Sequence, residues 1–158
     1  MVLSEMSDYK SSVVKPSDFE QFWRETLEET ERVALNPRIV LDPMRSNDDI
    51  EVFEARYNSY QSLEIAGWYA RPRNYTKLLP GLLFVPGYVS EPKLPTDLAR
   101  EGYAVFSAAP RNKLRSNMVF NPGYPGLLTH NIEARATYGY RGFYMDAVRA
   151  FDFLCQMP

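Results

Sequence analysis

Two apolar runs separated by a short helical segment constrain the fold of this chain more than any other feature. The first run is Pro80–Val85 and the second is Tyr103–Pro110. Nearly continuous apolar runs are typical of parallel strands, because such strands are covered by helices on both faces. The intervening "LPTDLAREGY" predicts a short helix that ends at Gly102. The sequence therefore predicts a βαβ unit with parallel strands, and an α/β fold.

A helix is predicted ahead of this unit. In "PSDFE", Ser17 is expected to cap the helix and Glu20 to reach back to it, which forms a capping box. Apolar residues at spacings of three and four then predict a helix to about Leu35, with an aromatic stripe packed in the core. This predicted apolar face contains Phe19, Phe22, Trp23, Leu27, Thr30 and either Val33 or Ala34.

Two alternating segments and a final helix complete the outline. "IEVFEARYNS" and "LEIAGWYARP" predict an antiparallel hairpin with a turn at Ser59–Ser62. Residues 111–136 form a long irregular segment, and loops of that length are usually functional or disordered. A last helix is predicted from about Tyr140. Its expected apolar face contains Phe143, Tyr144, Ala147, Val148, Phe151 and Leu154.

Composition narrows the function classes. The 158 residues are enough for one domain by length, but the predicted layout assigns 16–158 to an incomplete domain after an N-terminal arm at 1–15. A net charge of −2 gives no support for nucleic-acid or anionic-membrane binding, and no apolar run is long enough to span a bilayer. No secretory signal is evident, and the single Cys155 fits a reducing compartment, so we expect a cytoplasmic protein. Cys155 is expected to be buried, and one His with one Cys predicts no metal site.

Candidate catalytic groups are few. A serine nucleophile at a strand-to-helix turn requires Gly-x-Ser-x-Gly, and none of the eight glycines stands in that pattern. Asp146 and Arg149 lie three residues apart on the last helix, where a surface ion pair is expected.

Three stretches carry a family resemblance. "VVKPSDFEQFWRETLEET", "EVFEARYNSYQSLEIAGWYARP" and "GLLTHNIEARATYGYRGFYMDAVRAFDFL" resemble parts of the acetyl xylan esterase / cephalosporin C deacetylase family. The resemblance runs from Lys15 to Leu154 and is most specific over Tyr140–Ala150. It implies the N-terminal part of an α/β-hydrolase fold: an N-terminal helix, an antiparallel hairpin and then βαβ. The nucleophile-elbow strand and everything after it are lacking, so no residue of the catalytic triad is expected in this chain.

The resemblance also implies roles for one loop. The family's His-Gly-Tyr, whose tyrosine N–H contributes to the oxyanion hole, corresponds to Pro86-Gly87-Tyr88. The backbone N–H of Tyr88 is therefore the expected oxyanion donor, beside Gly87, with Pro86 in place of the histidine. His130 precedes the elbow position in the chain, so it is expected to be a loop residue near the cleft rather than the triad histidine.

A second family motif, Arg-Gly-Gln, corresponds to Arg111-Asn112-Lys113. Arg111 is expected either to hold the loop, by hydrogen bonds to backbone carbonyls or to a carboxylate, or to be a solvated arginine at a strand end. Loss of the glycine and the glutamine indicates a reshaped cleft, different substrates or relaxed catalysis. Tyr140 and Arg141 match a Tyr-Arg-Gly motif, for which a structural role is expected.

Three functions remain open. The chain is the N-terminal portion of a serine hydrolase for acetylated carbohydrate or similar small esters, or it serves other α/β-hydrolase chemistry such as dienelactone or amide hydrolysis. Alternatively, it is a non-catalytic, truncated or divergent subunit for binding or assembly. The expected partners are the remaining half of the domain, on the same or a separate chain, a small ester substrate and further copies in a homo-oligomer. No cofactor is implied. Without that half, the strand at Pro80–Val85 would be an open edge.

Overall fold

One mixed five-stranded sheet organises the chain. The structure, a computed structural model, describes residues 10–88, 90–123 and 126–157. The sheet order is β1-β2-β3-β5-β4, in which β4 and β5 are parallel and the other neighbours are antiparallel. The predicted hairpin and the predicted parallel βαβ unit are both confirmed. The strands are β1 (Arg38–Leu41), β2 (Ile50–Asn58), β3 (Glu64–Pro72), β4 (Gly81–Phe84) and β5 (Ala104–Ala109).

Four α-helices and one 3₁₀ turn accompany the sheet in the described part of the chain. The short helix between β4 and β5 ends as predicted, since Gly102 adopts a left-handed φ of 100° that glycine tolerates best. The predicted arm falls mostly on residues 1–9, which lie outside the described residues. The helices are α1 (Phe19–Glu31), α2 (Thr96–Arg100), α3 (Gly126–Thr129) and α4 (Gly139–Cys155), and the 3₁₀ turn is Tyr60–Ser62.

Strand β1 is not foreseen by the sequence pattern. Its four residues lie on the edge of the sheet, and the side chain of Val40 is 66 % exposed, so they carry no alternation of buried and exposed positions. Pairing with β2, in which Arg38 lies opposite Arg56, creates this strand.

The predicted start and end of helix α1 are wrong. Its N-cap residue is Asp18, and Glu20 forms an ion pair with Lys15 at 2.5 Å instead of a capping box with Ser17. The helix ends at Glu31, after which the chain turns so that Leu35 can enter the core.

The buried face of α1 includes Thr30, as predicted, but not the predicted aromatic stripe. Thr26 and Thr30 are its buried residues, whereas Phe19 and Leu27 are exposed and Trp23 is half-buried. Each of the two threonine hydroxyls donates to the carbonyl one turn earlier, at 2.7 Å. Because these bonds satisfy the hydroxyls, the threonines can face the core.

Helix α4 buries only part of the apolar face that its sequence predicts, since Phe143 is buried and Ala147 and Leu154 are half-buried. Tyr144, Val148 and Phe151 are exposed, while Asp146 and Arg149 are buried. The predicted surface ion pair is wrong as well, because Arg149 pairs with Asp152 at 2.9 Å and Asp146 pairs elsewhere. Apolar periodicity fails here because buried charges occupy the inward positions of the helix.

Cys155, at the end of α4, is exposed, so the expectation of a buried cysteine is wrong. The inward position of the last turn belongs to Phe153, which is fully buried among core residues.

Two apolar clusters form the core. In the larger cluster, Tyr57, Phe106 and Phe153 stack at centroid distances of 4.5–5.9 Å. The smaller cluster joins Val52 and Trp68 of the sheet to α2. The sheet is therefore packed on both sides.

Strand β4 is less well covered than the central strands of the sheet. In addition, no described strand pairs with its outer edge. Phe84 is 48 % exposed and Val85 is 39 % exposed. Coverage of this strand on both faces was a wrong expectation, whereas the predicted open edge is confirmed for the described residues. None of the helices in residues 10–88, 90–123 and 126–157 could span a bilayer, and the cytoplasmic location stays a prediction.

We expect Gly67→Ala to destabilise the protein by about 1–3 kcal/mol, which is typical of overpacking. A Cβ at Gly67 would overlap the Phe106 ring and lie 2.8 Å from the Ser107 carbonyl oxygen. Urea unfolding measures the change. Gly81→Ala is the matched control, since its Cβ would meet only the Leu154 side chain at 3.4 Å. Equal stability of the two variants would contradict the tight packing at Gly67.

Tyr57→Phe tests a buried hydroxyl, which donates to the Asp146 carbonyl at 2.8 Å. Its loss should lower the free energy of unfolding by about 1 kcal/mol at pH 7. Burial, followed by the charge of Asp146, raises the pKa of Tyr57 well above its ordinary value. The hydroxyl's contribution is therefore complete below about pH 10 and is lost as pH rises further. Urea unfolding should show the difference between variant and wild type narrowing above about pH 10, and a constant difference would contradict this.

Candidate functional site

The candidate site begins in the loop that follows β4. Tyr88 is half-buried there, and a turn is closed by the Ser90 N–H, which donates to the Gly87 carbonyl at 3.2 Å. This loop leaves the carboxyl end of a parallel strand, which is where open α/β sheets bind their ligands.

A cavity of about 420 Å³ lies beside the loop. Pro86 and Gly87 line it together with Phe84, Leu98 and Ser107. Its walls are mainly apolar, with a few polar groups, which is the usual composition of a small-molecule pocket.

Arg111, directly after β5, lies in a buried ion pair. Arg111 is only 2 % exposed, and Asp146 is fully buried. The Arg111 backbone N–H and Nε donate to Asp146 Oδ2 at 2.9 and 2.8 Å, and Nη2 donates to Oδ1 at 3.0 Å. Nη2 also donates to the Tyr60 carbonyl at 3.0 Å and Nη1 to Gln61 Oε1 at 3.2 Å. These are hydrogen bonds to a carboxylate and a backbone carbonyl, as expected from the sequence, and the alternative of a solvated arginine is wrong.

The Tyr-Arg-Gly motif has a local explanation in this geometry. A Cβ at Gly142 would overlap the Arg111 guanidinium, so only glycine lets the arginine lie against α4. Arg141 binds α1 to α4, because its Nε donates to Thr26 Oγ1 at 3.0 Å and its Nη2 to Glu29 at 2.8 Å. Arg141 therefore has structural contacts of the expected kind.

Lys113 is a buried residue whose role the sequence did not predict. It is 2 % exposed, and its ammonium donates to the Tyr88 carbonyl oxygen. Burial lowers the pKa of Lys113 from its ordinary value, while the charge of Glu91 acts in the opposite direction. One hint of this role is present in the sequence, which is that Lys113 lies two residues after Arg111. Hydropathy alone would place a lysine on the surface.

His130 lies in another cavity, of about 240 Å³, which Arg111 and Tyr60 also line. Its half-buried ring meets the Phe120 ring edge-on at 5.2 Å. The described lining residues of the two cavities do not overlap. The structure thus brings Pro86 and Gly87 together on one cavity, and Arg111 and His130 together on the other.

Metal ligands are not clustered in the described ranges. No group of three or more His, Cys, Asp or Glu side chains there could hold a metal ion.

Sheet order, the parallel β4–β5 pair and the loop after β4 define the N-terminal part of an α/β-hydrolase fold. The solved acetyl xylan esterase from Paenibacillus sp. R4 matches with a TM-score of 0.87 and 27 % sequence identity, over 99 % of this chain and 52 % of that one. Acetyl xylan esterase 1 from Thermoanaerobacterium sp. JW/SL YS485 matches in fold, with a TM-score of 0.82 and 18 % identity, over 100 % of this chain and 52 % of that one.

A family model described as acetyl xylan esterase matches residues 1–158. The chain belongs to the acetyl xylan esterase family, and the resemblance noted in its sequence is confirmed. It spans about half the length of the two solved structures that it matches.

We expect Arg111→Met or Asp146→Asn to destabilise the protein by about 3–5 kcal/mol, because either change leaves a buried polar partner unsatisfied. Urea unfolding measures both variants. The double variant Arg111→Met/Asp146→Leu should lose less stability than the sum of the single changes, since no charge is left unpaired.

Arg100→Met is the matched control, because its ion pair with Asp97 is exposed to solvent. It should change the stability little. Similar stability losses for Arg100→Met and Arg111→Met would contradict a special role of the buried pair.

Proposed function

We propose that this chain is the N-terminal portion of a serine ester hydrolase that acts on acetylated carbohydrate or similar small esters. The observation that carries the proposal is the position of the Tyr88 loop, which follows a parallel strand at the open edge of the sheet. The printed names of the two similar structures, both acetyl xylan esterases, support the substrate class.

In this proposal the backbone N–H of Tyr88 is one donor of the oxyanion hole. Ester hydrolysis places negative charge on the carbonyl oxygen of the tetrahedral intermediate, and a fixed N–H stabilises that charge without reorganisation. One such donor contributes about 3–4 kcal/mol to the lowering of the barrier. The nucleophile and the second donor are supplied from outside this sequence, which has no Gly-x-Ser-x-Gly motif.

The remaining half of the domain, on the same or a separate chain, is the proposed partner. The outer edge of β4 is unpaired within the described residues, and the neighbouring Phe84 and Val85 are partly exposed. Tyr144, Val148 and Phe151 expose a second apolar surface along α4. A further parallel strand beside β4 would satisfy the free backbone groups and cover apolar side chains.

A non-catalytic role in binding or assembly is the second candidate. The observation that favours it is the altered cleft, where Pro86 and Lys113 replace the histidine and the glutamine of the family motifs. Hydrolysis of a small acetyl ester by the intact protein that contains this chain separates the two candidates.

The decisive experiment replaces Tyr88 in the intact protein by its α-hydroxy acid analogue. This exchange turns the Gly87–Tyr88 amide into an ester and deletes the Tyr88 N–H. We expect kcat for an acetyl ester to fall about 10²–10³-fold, with KM nearly unchanged, because the donor acts mainly on the transition state.

Two controls accompany that experiment. Tyr88→Phe keeps the N–H and should retain kcat within a few fold. An ester linkage at Ser90 removes the turn hydrogen bond to Gly87 but leaves the Tyr88 N–H in place. An unchanged kcat in the Tyr88 ester variant would refute the oxyanion role, and no hydrolysis by the wild type would refute the esterase.

A further inference from the structure

The loop that carries Tyr88 is held at two points by residues that follow β5. The Lys113 ammonium donates to the Tyr88 carbonyl oxygen, and the Leu114 backbone N–H donates to Glu91 Oε2 at 2.7 Å. Hydrogen bonds that involve a charged group are about twice as strong as neutral ones. Lys113 itself is only 2 % exposed, although its contact with Tyr88 is partly buried, so water competes for this carbonyl less than it would on an open surface.

The residues that hold the loop are themselves attached firmly to the sheet. The Lys113 N–H donates to the Pro110 carbonyl at 3.0 Å, and the Ser116 N–H donates to the Lys113 carbonyl at 3.0 Å. The Ser116 hydroxyl donates to the Ala109 carbonyl of β5 and accepts the Ala66 N–H of β3 at 3.0 Å. Arg111 is fixed by its buried pair with Asp146. The backbone of Lys113 therefore has little freedom to move.

A buried ammonium requires partners, since desolvation of an unpaired charge is unfavourable. Within the described residues, Lys113 has the Tyr88 carbonyl at hydrogen-bond distance, the Tyr88 ring with its centroid 6.0 Å away, and the charge of Glu91. Each of these partners belongs to the loop. Movement of the loop would thus leave the lysine unsatisfied, which couples the position of Tyr88 to Lys113.

We propose that Lys113 is a positioning residue that fixes the Tyr88 loop in the conformation used for catalysis. By holding the Tyr88 carbonyl it fixes the peptide that follows Tyr88, which limits the movement of this residue and therefore the directions that its own backbone N–H, in the preceding peptide, can take. The inference rests on the proposed esterase function, in which that N–H faces the developing oxyanion. It also gives a role to Lys113, which lies at the position of the glutamine in the family's Arg-Gly-Gln motif.

The test compares three variants of the intact protein that contains this chain. Lys113→Met removes the donor and keeps the length of the side chain, whereas Lys113→Gln restores a neutral N–H donor. Lys77→Met is the matched control, because Lys77 is exposed and lies outside the loop and its contacts. Acetyl-ester kinetics and hydrogen exchange of the peptide that covers residues 85–91 are measured for each.

In Lys113→Met we expect kcat to fall about 10- to 100-fold, with KM within about twofold, because a small misplacement of a catalytic group has an effect of this size. Exchange in the loop peptide should become faster, while exchange in β2 and β3 stays unchanged. Lys113→Gln should recover part of both losses, and Lys77→Met should behave as wild type. Recovery by a neutral donor distinguishes positioning from a need for the charge.

Unchanged loop exchange in Lys113→Met would overturn the inference, and so would a raised KM with unchanged kcat, which would indicate substrate binding by Lys113. If faster exchange extends to β2 and β3, the lysine supports the fold generally and the inference fails. If the wild type hydrolyses no acetyl ester, the proposed function fails instead, and the exchange data alone decide whether Lys113 holds the loop.

Discussion

The buried ion pair between Arg111 and Asp146 is the interaction on which the rest of the structure depends. It joins the end of β5 to the middle of α4, and further hydrogen bonds reach the 3₁₀ turn at Tyr60 and, through the Tyr57 hydroxyl, strand β2. Two charges can be buried only when nearly all their hydrogen-bonding groups are satisfied, and here the protein supplies those partners. The requirement extends to Gly142, whose missing side chain leaves room for the guanidinium.

The same pair organises the candidate site. It fixes the chain directly after β5. Lys113, two residues after Arg111, is thereby placed where its ammonium can donate to the Tyr88 carbonyl. The site is thus built from two loops at the carboxyl ends of the parallel strands β4 and β5. In the proposed enzyme, the part of the domain that carries the nucleophile pairs with the open edge of β4. The Tyr88 N–H and the second oxyanion donor would then lie together where the two parts of the domain meet.

Much of the fold was predictable because its signals are local. Strand β2 largely follows the alternation of its own residues, whereas β3 is buried at six consecutive positions although its sequence was recognised as a strand. Gly102 ends α2 because its backbone conformation favours glycine. Strand β1 was not predictable, since only its pairing with β2 makes it a strand. The face of α4 was predicted only in part, because apolar periodicity does not count Asp146 as an inward residue.

The sequence by itself determined the hairpin, the parallel βαβ unit, the two long helices and the family, all of which depend on neighbouring residues and short motifs. Only the tertiary structure decided which charges are buried. Arg111 and Asp146 are 35 residues apart and Lys113 and Tyr88 are 25 apart, so no local pattern reveals these contacts. The physical reason is that a charged side chain can be buried only where a partner satisfies it. When that partner is far away in the sequence, the two come together only in the folded chain.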